Sequence, residues 1–164
     1  MKATIRPARP ADSTEIAAIY SHYVLNSHCT FETEVVSADE IQRRIRETLV
    51  LPLPWLVSVS SDKIVGYAYA SKWKGRCAYQ FSVESTIYID SAHTSKGIGL
   101  ALYTTLIETI RNLPMHAVIG GIALPNEPSI HLHESLGFKK VGHFEQVGYK
   151  QNRWIDVGYW QLML

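Results

Sequence analysis

Cysteine is scarce in this chain. Cys29 and Cys77 are the only two in 164 residues, and they match neither a metal-ligand spacing nor a disulfide framework. Free thiols in a reducing cytosol are expected instead. No sign of charge is in excess: 16 Lys and Arg face 15 Asp and Glu, a net +1. Nothing there points to nucleic acid or a membrane surface as partner. The seven histidines are scattered without ligand spacing, so no metal is expected. Long apolar runs are missing as well. The most apolar stretch, LVLPLPWLVSVS, is broken by Pro52 and Pro54 and is too short to span a bilayer. The start, MKATIRPARPAD, carries Lys2, Arg6, Arg9 and Asp12 without an apolar segment, so no secretory signal is expected. No repeat, low-complexity tract or Gly/Ser linker marks a boundary. The expectation is one cytoplasmic domain over residues 1–164. With 46% hydrophobic and 19% charged residues, it has the composition and size to build its own core.

Periodicity supplies the elements. TIRPA reads as a strand. Asp12 with Glu15 reads as a capping box opening a helix whose inner positions are Ile16, Ile19, Tyr20 and Tyr23. Ser37 with Glu40 repeats the signal before Ile41, Ile45 and Leu49. WLVSVS and IVGYAYASKW are strands joined by the turn SDK, and YQFSVESTIYI is a longer strand. Along it Phe81, Val83, Ser85, Ile87 and Ile89 point one way, and Ser82, Glu84, Thr86 and Tyr88 the other. Ile98, Ala101, Leu102, Leu106, Ile110 and Leu113 form a helical stripe. HAVIGGIAL is a strand, Asn126 caps a short helix closed by Gly137, and KKVGHFEQVGY and RWIDVGYWQLML are two last strands. The predicted order is a strand, two helices, three strands, then helix, strand, helix and two strands. That is a mixed α/β or α+β domain around one sheet.

The segment HTSKGIGLALY places Gly97 and Gly99 between a strand and a helix. The first N–H groups of a helix lack internal partners and lie at the positive end of its dipole. Glycine lets a phosphate approach them. The spacing is neither that of a P-loop nor GxGxxG, and on this fragment alone a plain helix start is the simpler account.

The wider pattern resembles the GNAT superfamily of acetyl-CoA-dependent N-acetyltransferases, whose pyrophosphate motif is Gln/Arg-x-x-Gly-x-Gly/Ala. Here it falls on residues 94–99, with Gly97 and Gly99 matching and Thr94 departing from Gln or Arg. VESTIYI, ALPNEPSIHLHESLGF, VGYKQNRWIDVGYWQL and the early TFE are similar to the phosphinothricin and methionine sulfoximine acetyltransferase branch, in order and over nearly the whole chain. The resemblance implies the GNAT fold: a single mixed, mostly antiparallel central sheet flanked by helices.

It also implies a site. Glu84 of VEST corresponds to the family's proposed general base, acting through water; from sequence alone a solvated strand face is an equal account. The backbone of Ile87, Tyr88 and Ile89 would hold the pantetheine arm of acetyl-CoA. Ser95, Lys96, Gly97, Ile98, Gly99 and Leu100 would cradle the pyrophosphate. Asn126 is either a helix cap, a cofactor contact or both, and Ser135 aligns with a second contact. His133 stands where many relatives carry Tyr as acid for the departing thiolate. It either donates that proton or packs against the cofactor, and a thiol with pKa near 8.5 needs little help leaving. For the acceptor, Arg76 offers a planar fork for a carboxylate, flanked by Lys74 and Gly75, with an exposed loop charge as the plainer account. Ser85 and Thr86 lie beside Glu84. Phe31 and Glu32 belong to a loop that closes over the acceptor in this family, and Trp73 is a further pocket candidate.

The expected activity is acetyl transfer from acetyl-CoA to the α-amine of a small amino-acid-like acceptor such as phosphinothricin, methionine sulfoximine or methionine sulfone. The attack is direct, in a ternary complex. A polyamine or protein N-terminus as acceptor, or a silent acyl-CoA-binding module, are the alternatives. The resembling family forms homodimers, and Tyr149, Trp154, Tyr159 and Trp160 offer apolar surface for a symmetric pair.

Overall fold

The computed structural model describes residues 3–164. The elements are β1 (Thr4–Pro7), α1 (Ser13–Asn26), α2 (Ala38–Val50), β2 (Trp55–Ser60), β3 (Lys63–Lys72), β4 (Ser82–Ile89), α3 (Ile98–Arg111), β5 (Ala117–Ala123), α4 (Glu127–Ser135), β6 (Lys139–Lys150) and β7 (Arg153–Met163). This is the predicted order. The strands form one sheet, β1-β2-β3-β4-β5-β7-β6. The β1–β2, β2–β3, β5–β7 and β6–β7 pairs are antiparallel, and β4–β5 is parallel. The mixed, mostly antiparallel architecture is therefore as expected. β4 begins at Ser82 rather than Tyr79, because Cys77–Tyr79 coil into a 3-10 turn. Ser61 and Asp62, with φ of 49° and 61°, make the two-residue left-handed turn whose twist suits a hairpin. Gln151 and Asn152, at 52° and 58°, repeat it between β6 and β7.

The chain divides into two compact units. The first comprises the residues up to Ser21, with Val36–Ser71 and Ser85–Pro114. Its core is built from Ile16 and Ile19 of α1, Ile41 and Ile45 of α2, Val57, Val65 and Tyr67 of the strands, and Leu102, Leu106 and Ile110 of α3. Trp55 stacks on Tyr69 with ring centroids 4.2 Å apart. Ser37 caps α2 by accepting from the Glu40 N–H, as the sequence predicts.

Three expectations shift in this unit. Asp12 does not form a capping box with Glu15. Its carboxylate takes both Arg6 guanidinium nitrogens, at 2.7 and 2.9 Å, and the Arg9 N–H at 2.7 Å. These bonds, Arg6 first, hold it below the usual carboxylate range despite desolvation. Glu15 instead accepts from the Ile64 N–H of β3 at 2.9 Å. Leu49 is 44% exposed and Thr48 is buried, since a step of three from Ile45 keeps closer to the packed stripe than a step of four here. On α3, Ala101 is exposed while Tyr103 and Ile107 are buried; the inner face is wider than the predicted stripe.

The second unit comprises His22–Val35, Lys72–Glu84 and Met115–Leu164. Val83, Val118, Ile122, Phe138, Ile155, Val157, Trp160 and Leu162 fill its core. Trp160 is a correction to the expected apolar surface: it is 1% exposed, and its indole N–H donates to Glu134 Oε1 at 3.0 Å. Tyr149 and Trp154 are exposed and lie against each other at 4.9 Å. α4 starts at the Asn126 cap and stops at Gly137, whose φ is 90°.

Candidate active site

In the first unit, the chain leaving β4 turns sharply before α3. Asp90 Oδ1 accepts from the Ala92 N–H at 2.9 Å and pairs with His93 Nδ1 at 2.9 Å. Ser95 and Gly97 are both left-handed, at φ 59° and 77°. Gly97 is the N-cap of α3 and supplies no side-chain cap. Its carbonyl accepts from the Ala101 N–H at 3.1 Å, so the N–H groups of Ile98, Gly99 and Leu100 precede the first helical bond. Nothing lies within 4 Å of where a Gly97 β-carbon would stand. The predicted loop is thus a left-handed glycine before open donors, with space in front. The chemistry of that set suits a phosphate. Lys96 turns back, its ammonium donating to the Ala92 carbonyl at 2.8 Å.

Ile87, Tyr88 and Ile89 are half-buried. Tyr88 packs edge-on to Tyr20 at 5.2 Å and lies 5.6 Å from Tyr67. Ile89 occupies the room left by Gly66, where a β-carbon would stand 2.6 Å from Ile89 Cδ1. Ser85 is buried, and its hydroxyl bonds the Tyr103 hydroxyl at 2.7 Å. Thr86 is half-buried on the other face of the strand.

In the second unit, register decides which residues meet. Glu84 pairs with Ile119 in the parallel β4–β5 ladder, and Gly121 pairs with Tyr159 across β5–β7. Alternation therefore sets Glu84, Gly121 and Tyr159 on one face. A β-carbon on Gly121 would lie 3.4 Å from Glu84 Oε1 and 3.2 Å from Tyr159 Cε1. Gly121 itself is exposed, so this face is open beside the carboxylate. Trp73 and Phe144 each meet the Tyr159 ring edge-on at 5.6 Å. Lys74 places its ammonium 4.6 Å from the Trp73 ring centre. Burial pushes the Glu84 carboxyl up, and the Lys74 charge pulls the other way. The Tyr159 phenol is pushed up by desolvation and then by Glu84.

Gly120 serves the opposite face. A β-carbon there would fall 2.5 Å from His133 Nε2, so the imidazole lies directly on β5. His133 Nδ1 is 2.7 Å from the Ser129 carbonyl. A carbonyl only accepts, so Nδ1 carries the hydrogen. His133 is 4% exposed, and desolvation lowers its pKa despite that carbonyl, which favours the neutral ring. Asn126 caps α4 through Oδ1 to the Ser129 N–H at 3.2 Å, while its Nδ2 donates to Cys29 Sγ at 3.4 Å. Ser135 is exposed and bonds the Leu132 carbonyl at 2.8 Å. Lys74, Gly75 and Arg76 are exposed. Phe31 lies on Gly148, and Glu32 is half-buried, its N–H 3.3 Å from Thr30 Oγ1. Among the described residues no group of three His, Cys, Asp or Glu has metal-holding geometry.

The Acetyltransferase (GNAT) domain family matches residues 5–158. The chain belongs to the GNAT acetyltransferase family. A phosphinothricin N-acetyltransferase of Streptomyces viridochromogenes is 40% identical over 157 residues, covering 96% of this chain and 85% of the relative. An L-methionine sulfoximine/L-methionine sulfone acetyltransferase of Salmonella typhimurium is 35% identical, covering 98% of this chain and 94% of its own. A GNAT phosphinothricin acetyltransferase of Sinorhizobium meliloti, solved in complex with acetyl-CoA, superposes with a TM-score of 0.96 at 36% identity, covering 100% of this chain and 89% of that one.

Within this GNAT chain, sequence reading missed Tyr159, Gly120 and Gly121 as neighbours of the candidate catalytic residues. A signal was present: two glycines inside the apolar strand HAVIGGIAL. Glycine weakens a strand interior and often marks close approach by another group. Here His133 approaches on one face, and Glu84 and Tyr159 on the other.

Proposed function

We propose that the chain is a single-domain, cytoplasmic, homodimeric N-acetyltransferase. It moves acetyl from acetyl-CoA to the α-amine of a small amino-acid-like acceptor of the phosphinothricin, methionine sulfoximine or methionine sulfone kind. The observation carrying this reading is Glu84: a half-buried carboxylate whose burial raises its pKa, beside an exposed glycine in a chain of this family. Such a carboxylate is shifted toward the pH at which a base works best. Glu84 takes the ammonium proton through water, and the freed amine attacks the thioester carbonyl. The N–H groups at Ile98, Gly99 and Leu100 hold pyrophosphate, with Ser95, Lys96 and Gly97 shaping the loop, and the backbone of Ile87, Tyr88 and Ile89 holds the pantetheine arm. Arg76, with Lys74 and Gly75, binds the acceptor's acidic group. Phe31 and Glu32 line its pocket.

Of the two accounts of His133, packing is favoured, because burial favours the neutral ring, the Nδ1 hydrogen is engaged with the Ser129 carbonyl, and Nε2 faces Gly120. The thiolate then leaves without a dedicated acid. Ser85 has its hydroxyl engaged by Tyr103, so its part toward the acceptor falls to its backbone. Asn126 acts as cap first. A dimer is supported by the exposed apolar residues of β6 and β7: Val141, Phe144, Val147, Tyr149 and Trp154.

Thiol release from acetyl-CoA, measured with a panel of amines, tests the reading. Turnover with methionine sulfone or phosphinothricin and none with spermidine or a peptide N-terminus is the expected result. Preference for the polycation or the peptide would move the acceptor class. Binding without any turnover would leave an acyl-CoA-binding module.

A further inference from the structure

Lys150 ends β6 and is only 5% exposed, where an ammonium is rarely found without a partner. Its Nζ donates to the Thr30 carbonyl at 2.8 Å. Gly148, two residues earlier and also buried, shares its strand face, while Tyr149 between them is exposed. A β-carbon at Gly148 would stand 2.3 Å from Phe31 Cζ, so the outer end of the Phe31 ring occupies the space that a side chain at 148 would need. One face of β6 thus receives two consecutive loop residues, Thr30 by its carbonyl and Phe31 by its ring. The same loop is held at His28, whose Nδ1 accepts from Arg153 Nη2 at 2.6 Å and whose Nε2 meets the Pro125 carbonyl at 3.0 Å. Desolvation lowers the Lys150 pKa, and the nearby Cys29 and Glu32 oppose it. Burying an ammonium is costly unless it is bonded, and a methionine would fill the same space without that cost.

We propose that Lys150 is a positioning residue: with Gly148 it latches residues 30–32 onto β6 and so fixes the wall that Phe31 and Glu32 give the acceptor pocket. The inference rests on the acceptor-loop reading above. The latch acts on the acceptor side, so it governs acceptor affinity and selectivity without touching the reacting atoms.

Two variants test it, Lys150→Met and Gly148→Ala. The first removes the donor; the second displaces the ring and leaves the ammonium. Loss of a charge-assisted hydrogen bond corresponds to roughly a ten- to hundredfold effect. The methionine sulfone KM should rise by about that factor in Lys150→Met, with the acetyl-CoA KM unchanged and kcat changed less. Hydrogen exchange of residues 28–34 should quicken in both variants. Should Lys150→Met not fold, Gly148→Ala carries the test. Unchanged exchange in the loop, or an equal loss on both substrates, overturns the latch. Quickened exchange in a chain whose wild type acetylates no amino acid supports the latch and overturns the acceptor reading alone.

Discussion

Replacing Glu84 with glutamine keeps the shape beside Gly121, where the carboxylate oxygen stands 3.4 Å from the β-carbon position, and removes the base. General-base assistance is worth roughly 10²–10⁴-fold, or about 2.7–5.4 kcal/mol of barrier at 1.36 kcal/mol per tenfold. We expect kcat/KM for methionine sulfone to fall within that span near neutral pH, where the α-ammonium is almost wholly protonated. The loss should shrink as pH rises and the free amine needs no base. The acetyl-CoA KM should hardly move. Stability should respond in the opposite sense. Burial raises the Glu84 pKa in the folded state. Its contribution is therefore full below the ordinary carboxylate value and is lost as pH rises through the folded value. At pH 7 the ionised side chain costs stability, so Glu84→Gln should melt higher than wild type at pH 7, with the gap closing toward pH 4. The assay is kcat/KM from pH 6 to 10 alongside melting from pH 4 to 8. A mutant-to-wild-type rate ratio independent of pH would refute the proton-transfer argument, and undiminished activity would remove Glu84 from the chemistry.

Gly97→Val should abolish or sharply weaken acetyl-CoA binding in titration calorimetry. The fold should persist, because nothing lies near the new side chain, although φ of 77° strains any branched residue; unchanged affinity in a folded variant would count against the phosphate loop. For His133, desolvation lowers the folded pKa, so its contribution is present above the ordinary histidine value near 6.5 and is lost as pH falls below it. His133→Gln should flatten that acid-side decline in melting temperature while leaving the pH dependence of kcat intact, and a shifted kcat profile would return His133 to the role of acid. Light scattering at micromolar concentration should give twice the chain mass, and Trp154→Lys on the exposed β7 surface should lower it to one; a monomeric wild type would contradict the dimer.

Much of this was legible in the sequence. Element order, the Ser37 and Asn126 caps and the glycine at the mouth of α3 are local signals, and local chemistry decided them. Asp12 and Glu15 were misread because their real partners, Arg6 and Ile64, lie on strands that no helix-capping pattern contains. The stripes of α2 and α3 shifted because exposure depends on what packs against a helix, not on its period alone. The neighbours of Glu84 were out of reach for the same reason. Tyr159 joins it only through the β4–β5 and β5–β7 registers, and Gly120 and Gly121 matter only once both faces of β5 are occupied. Trp160 looked like interface and is core, since it shares the Gly120 face on which α4 packs.

The central claim is transfer of acetyl to the α-amine of an amino-acid-like acceptor. Mass spectrometry of a reaction containing the purified chain, acetyl-CoA and L-methionine sulfone tests it most directly. The account predicts N-acetyl-methionine sulfone, with the acetyl group on the α-nitrogen by fragmentation, formed mole for mole with free CoA. Hydrolysis of acetyl-CoA without acetylated product, or product formed equally well in the Glu84→Gln variant at pH 7, would contradict it.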